Sequence, residues 1–196
     1  MSSHSLEEQD VATAESSAEA TPEQLLEMED GDRFELIDGK LVERNMGAKS
    51  SETAGNLLRI LGPYVHQHQL GKLFPPDCSY QIFPEAPKQV RSPDVSFIAK
   101  GRLPQERSPS GHMRIHPDLA VEVVSPNDTA DEVEAKRVAF LRANVPLVWI
   151  IYPEIRTIHV YRQGGSAAAL AEGDELSGEE VLPGFVCKVA DIFEGL

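Results

Sequence analysis

Residues 91–101 read RSPDVSFIAKG, and residues 116–136 read HPDLAVEVVSPNDTADEVEAK. Two apolar runs of strand character lie in this stretch, and each carries one acid: Asp94 ahead of VSFI and Glu122 inside LAVEVV. Side chains of a strand alternate between faces. Leu119, Val121 and Val123 therefore share one face, while Ala120, Glu122 and Val124 share the other. Glu122 is the only polar residue in this run, which is the pattern of a strand covered on both sides. A carboxylate ionised there must be hydrogen-bonded, ion-paired or bound to a cation, because an uncompensated buried charge is costly. The residues after this run begin with turn and cap types, SPNDT, and then turn helical, with Val133, Phe140 and Leu141 as the apolar stripe and Lys136 one turn before Phe140. Asp94, Glu122 and Lys136 could converge on one metal site.

Each of the three also has a plainer reading. Pro93-Asp94 taken alone is a common turn dipeptide. A strand at a sheet edge would let Glu122 reach water, and Lys136 could be an ordinary surface lysine. Only their combination in one stretch argues for chemistry.

Outward from this centre, the chain alternates strand and helix signals. Thr21-Pro22-Glu23-Gln24 carries a capping box with proline at the first helical position, which predicts a short helix to about Glu29. FELI and KLVE flank Asp38-Gly39, a strong hairpin signal. Glu35 lies in the first of these strands, as either an exposed hairpin residue or a further carboxylate for the site. Ala54, Leu57, Leu58, Leu61 and Val65 recur at helical spacing from Ser51 to about Gln69, with a bend or break expected near Gly62-Pro63. CSYQIF (78–83) reads as a strand antiparallel to the one that follows Asp94. The long connection over residues 100–118 reads as a flap over the substrate. LVWIIY and IRTIHVYR form a further strand pair across the Pro153-Glu154 turn. The expected architecture is α/β, a mixed central sheet flanked by helices.

The ordered blocks FELIDGKLVE, RSPDVSFI, DLAVEVVSPND, a lysine-bearing helix, VPLVWIIYPEIRTIHVY and VLPGF resemble the Uma-two family of restriction endonucleases, within the PD-(D/E)XK nuclease superfamily. The resemblance runs from about Thr21 to the C-terminus. It implies a restriction-endonuclease-like core over residues 21–196, as one domain, and a Mg²⁺-dependent endonuclease acting on DNA, with Mn²⁺ as a substitute. It also implies Asp94, Glu122 and the Val123 backbone carbonyl as metal ligands, with Glu35 as a further candidate because some members of the superfamily use an acid near the first helix. The superfamily places a lysine two residues after the Glu, where this chain has Val124. The resemblance implies that Lys136 of the following helix takes its place. A His found near the start of the first long helix in many members is absent, since Ser50 and Ser51 stand there. A homodimer is expected by analogy with nucleases that cut both strands.

The formal net charge of −14 opposes a polyphosphate partner, but the acid excess is in the ends. Residues 1–35 hold eleven acids and one base, and residues 167–196 hold seven acids and one base. The middle is slightly basic, and Lys88, Arg91, Lys100, Arg102, Arg107 and Arg114 surround the Asp94 strand. Of these, Arg91, Lys88 and Arg102 are the candidates for phosphate contact, although such a run is also the composition of a solvated loop. Residues 1–20 are rich in Ser, Ala and Glu and read as a disordered acidic tail. No apolar run suits a bilayer span and no secretory leader is evident, so a cytoplasmic protein is expected. Cys78 and Cys187 form no metal or redox motif. The alternative to an enzyme is a non-catalytic nuclease-fold module that binds nucleic acid or a protein partner. The acidic ends and Val124 both favour that alternative.

Overall fold

The alternation in LAVEV is realised as expected in the computed structural model, which describes residues 19–44 and 47–196. The disordered-tail expectation falls almost entirely on residues outside that range. Among the described residues ten strands and four α-helices follow one another: α1 (Pro22–Glu27), β1 (Phe34–Ile37), β2 (Lys40–Glu43), α2 (Ala48–His68), β3 (Gly71–Phe74), β4 (Val95–Ala99), β5 (Leu119–Val123), α3 (Ala130–Arg142), β6 (Leu147–Tyr152), β7 (Thr157–Arg162), β8 (Ala167–Leu170), β9 (Glu175–Ser177), β10 (Val186–Lys188) and α4 (Val189–Ile192).

Six of these strands form a mixed sheet in the order β3-β4-β5-β6-β7-β8, where β5 and β6 run parallel and every other pair is antiparallel. A parallel pair needs a crossover, and α3 supplies it. The two faces of β5 are then covered by different helices. Leu119, Val121 and Val123 pack with Leu57, Leu61 and Val65 of α2 and with Leu176, Phe185, Ile192 and Phe193 of the C-terminal segment. Ala120 packs on the other side with Val148 and Ile150 of β6 and with Phe140 of α3. Glu122 shares that second face, so the strand brings its one charge into the layer beneath α3.

The β1–β2 hairpin turns at Asp38 and Gly39, both with positive φ (49° and 74°), and pairs Ile37 with Lys40. It docks by a reciprocal backbone pair, Leu36 N–H to Val90 O and Val90 N–H to Leu36 O, each 2.9 Å. That bridge sets Glu35 beside Arg91 and Ser92, immediately before Asp94. The capping box of Thr21 and Gln24 is present as the sequence indicates.

Three expectations are corrected. Residues 78–83 form no regular strand: Tyr80 alone bridges Arg91 and Met113, and the strands paired with β4 are β3 and β5. Of the bend or break expected near Gly62-Pro63, the break does not occur, and α2 continues to His68. A proline removes one helical hydrogen bond, but Leu57, Leu61 and Val65 are buried on either side of it and hold the helix on the sheet. The connection over residues 100–118 is no open flap, because buried Met113 donates its N–H to Ser79 O (2.8 Å) and accepts from Gln81 N–H (2.9 Å), while Leu103 and Met113 pack on Ile98 and Tyr80. The structure also adds a strand for which there was no expectation, β8, built from AAAL, which carries no strand signal in the sequence. Among the described residues no helix is long and apolar enough to cross a membrane.

Candidate active site

Asp94 sits one residue before β4, where its backbone and side chain both reach across to β5. Its N–H donates to Val121 O (2.9 Å) and its Oδ2 accepts the Val123 N–H (2.7 Å), so Asp94 grips the residues on either side of Glu122. The N–H and C=O of one strand residue point to the same side. The Val123 carbonyl therefore faces the Asp94 side of β5. The other oxygen of Asp94, Oδ1, lies 3.6 Å from the Arg44 guanidinium, beyond a direct hydrogen bond.

Glu122 is 4% exposed and meets Lys136, whose Nζ donates to Glu122 Oε2 at 2.8 Å. Local structure explains how Lys136 arrives there. The Thr129–Glu132 capping box starts α3, and Phe140, one turn after Lys136, is fully buried under the helix and fixes its rotation. Val124 lies on the same face as Glu122 and packs in the α3-side core. The ammonium thus reaches Glu122 from the helix instead of from the strand. Glu122 Oε1 is buried with no hydrogen-bond partner among the described residues. A buried carboxylate oxygen left unpaired is costly, and few such atoms survive in native proteins without a reason.

The electrostatics follow from this packing. Burial raises the Glu122 carboxyl to about 7 against the pull of the Lys136 ammonium, and the negative charges of Asp94 and Glu35 push the same way. Asp94 is also raised by burial, against the Val123 N–H and the charges of Lys136 and Arg44. Burial works against the charge of Lys136, yet the carboxylates of Glu122 and Glu35 hold it more firmly protonated than a lysine in water.

Glu35 is buried in the same neighbourhood, but both of its oxygens are engaged. Oε2 takes Arg91 at 3.1 Å and Oε1 takes the Ser92 N–H at 2.9 Å. In this arrangement Glu35 anchors the hairpin to the segment that leads into Asp94. Arg91 is buried by the same pair, and its Nε has no partner among the described residues. A cavity of about 250 Å³ opens over this cluster, lined by Glu35, Arg44, Arg91, Asp128, Glu132 and Lys136 among others. A second cavity of about 320 Å³ shares Ile37, Arg91 and Ala135 with it.

Two of the expected phosphate contacts lie elsewhere. Arg102 is at the opposite end of β5, bound to Asp118 at 2.8 Å and to His116 O at 3.0 Å. Lys88 lines a recess with Asp38 and Glu85 that borders the second cavity, its Nζ 3.5 Å from Glu19. Both are near Asp94 in sequence, but neither lines the cavity beside Glu35, Arg44 and Lys136.

Sequence reasoning missed Arg44 and Asp118. For Arg44 there was no signal, since an arginine after a hairpin strand reads as solvent-exposed. For Asp118 there was one, because Pro117-Asp118 opens β5 as Pro93-Asp94 opens β4.

Residues 22–190 match the Uma2 family, described as "putative restriction endonuclease". The chain belongs to the Uma2 family. Its fold is shared with the crystal structure of a putative nuclease belonging to DUF820 from Anabaena variabilis ATCC 29413, at 20% identity and a TM-score of 0.71, over 88% of this chain and 97% of that one. No curated protein matches. The Uma2 match covers all the elements that build the site, from α1 through the β9–β10 hairpin.

Proposed function

We propose that this Uma2 protein is a metal-dependent endonuclease that hydrolyses phosphodiester bonds of DNA. The observation that carries the reading is the orphaned Glu122 Oε1, buried next to an aspartate whose outer oxygen has no hydrogen bond among the described residues. Two carboxylates raised by burial, with a backbone carbonyl on the same side, make a donor set for a hard divalent cation. Among the described residues no group of three or more His, Cys, Asp or Glu could hold a metal. A site of two carboxylates and one carbonyl suits Mg²⁺, which keeps several waters when bound, with Mn²⁺ as substitute. Asp94, Glu122 and the Val123 carbonyl would hold it. The chemistry such a cation supplies is neutralisation of phosphoryl charge and easier ionisation of the attacking water.

The chain's own groups do the rest. Lys136, protonated and steered by Glu122, orients the water or stabilises charge as it develops. Arg91 lines the cavity and would hold a flanking phosphate. Glu35 keeps that guanidinium in place.

One observation favours a binding-only module instead: the cavity is lined by Glu35, Glu43, Asp128 and Glu132 against Arg44, Arg91 and Lys136. Plasmid nicking separates the two. Purified protein with Mg²⁺ or Mn²⁺ should convert supercoiled plasmid to open circle, and Glu122→Gln should lose that activity with an unchanged circular dichroism spectrum. Equal nicking by the variant would remove the basis of the proposal, and DNA retention without cleavage by either protein would support the module.

A further inference from the structure

Arg44 is held by atoms that have nothing to do with charge pairing. Its N–H donates to Arg33 O (2.8 Å), which prolongs the hairpin beyond β2, and its Nη1 donates to Pro76 O at 2.8 Å. A longer contact to Asp32 O, at 3.4 Å, lies on the same nitrogen. The guanidinium is thus pinned by carbonyls on one side, while Nη2 is left 3.6 Å from Asp94 Oδ1 at the wall of the cavity. Its side chain is 14% exposed and that of Asp94 is 11% exposed, so little water screens the pair. Compare Arg102 and Asp118, where the same two residue types close to 2.8 Å. Arg44 neutralises Asp94 without occupying it.

Resting on the endonuclease reading above, we propose that Arg44 is a positioning residue with two successive partners. In the metal-free site it balances the charge of Asp94, as Lys136 balances Glu122. Once a cation takes over Asp94, Arg44 is released to accept a non-bridging phosphate oxygen as its partner, which a planar guanidinium suits better than an ammonium does. No covalent step is involved. The consequence is coupling: the cation and the phosphodiester each favour the other's binding, because each takes one member of an ion pair that would otherwise close on itself.

The test separates this role from simple scaffolding by opposite signs. Mn²⁺ alone is titrated into metal-free protein and followed by electron paramagnetic resonance, and plasmid nicking is measured on the same preparations. Arg44→Gln removes the competing charge, so Mn²⁺ should bind about tenfold tighter in the absence of DNA, while nicking falls by roughly tenfold to a hundredfold. Arg44→Lys keeps the charge, so its Mn²⁺ affinity should stay within about twofold of the parent while nicking still falls about tenfold, since an ammonium lacks the guanidinium's fork. If Arg44→Gln does not fold, Arg44→Lys carries the test: Mn²⁺ affinity and nicking that fall together would overturn the proposal. In a folded Arg44→Gln protein, parallel losses, or no change in either quantity, would overturn it as well. Failure of the underlying reading looks different: the parent protein and Glu122→Gln would then bind Mn²⁺ equally weakly, which sinks both.

Discussion

The β4–β5 pair is closed at each end by an aspartate, and the two ends are near-mirrors in their bonding. Asp118, just before β5, donates its N–H to Phe97 O (2.7 Å) and accepts the Ala99 N–H on Oδ2 (2.7 Å). Asp94, just before β4, donates to Val121 O (2.9 Å) and accepts the Val123 N–H on Oδ2 (2.7 Å). Each has an arginine beside it. At the Asp118 end the arginine closes to 2.8 Å on the same Oδ2 that takes the Ala99 N–H. At the Asp94 end the arginine stands back at 3.6 Å, and the neighbouring Glu122 adds a second carboxylate with an oxygen that has no bond among the described residues. The same backbone device is a staple at one end and a cradle at the other. What distinguishes them is the open ion pair and the unmet valence of Glu122 Oε1, since the two aspartates are alike in residue type and strand position.

The sharpest way to break that contrast is to neutralise both aspartates. Asp94→Asn should cut nicking by roughly a thousandfold, whereas Asp118→Asn, assayed well below its melting temperature, should stay within about threefold of the parent. Equal losses would mean that the two ends do not differ in function. Next in size, Lys136→Met should lower nicking roughly a hundredfold. It should also destabilise the metal-free protein by about 2 kcal/mol in urea unfolding, because Glu122 is left buried without its partner. A smaller effect is expected at the staple, where Asp118→Asn should cost about 1–2 kcal/mol of stability through its weakened bonds to Ala99 N–H and Arg102.

The pH dependence of stability sharpens the comparison further. Glu122 titrates at about 7 in the folded chain, against an ordinary value of 4.5, and Asp94 is shifted in the same direction. Between those two values the unfolded chain has released a proton that the folded chain still holds. Metal-free stability should therefore fall as pH rises from about 4.5 to about 7, opposite to the trend that salt-bridged carboxylates give. Mg²⁺ should flatten the slope, since a cation favours the ionised carboxylates. A slope unchanged by Glu122→Gln would assign the effect to some other group.

Much of this architecture is legible in the sequence. The period-two pattern of LAVEV assigned each residue of β5 to the correct face, because an alternation error would bury the wrong set, and Asp38-Gly39 fixed the hairpin through its demand for positive φ. The strands β3 and β8 were not legible: GKLF and AAAL are four-residue segments whose strand character comes from their neighbours and not from their own side chains. At the site, the spacing and face of Glu122 were readable, and so was the lysine on the border of the α3 stripe. Pairing was not. That Glu35 would be consumed by Arg91 and Ser92, or that Arg44 would come to rest beside Asp94, depends on the hairpin docking at Val90, a long-range contact that no local pattern announces.

Crystals soaked in Mn²⁺ and measured for anomalous scattering give the most direct view of the unmet valence. The account predicts one strong peak between Asp94 and Glu122 Oε1, reached also by the Val123 carbonyl, and none at Asp118. A peak at neither carboxylate, or one shared equally by the Asp118 end, would contradict it.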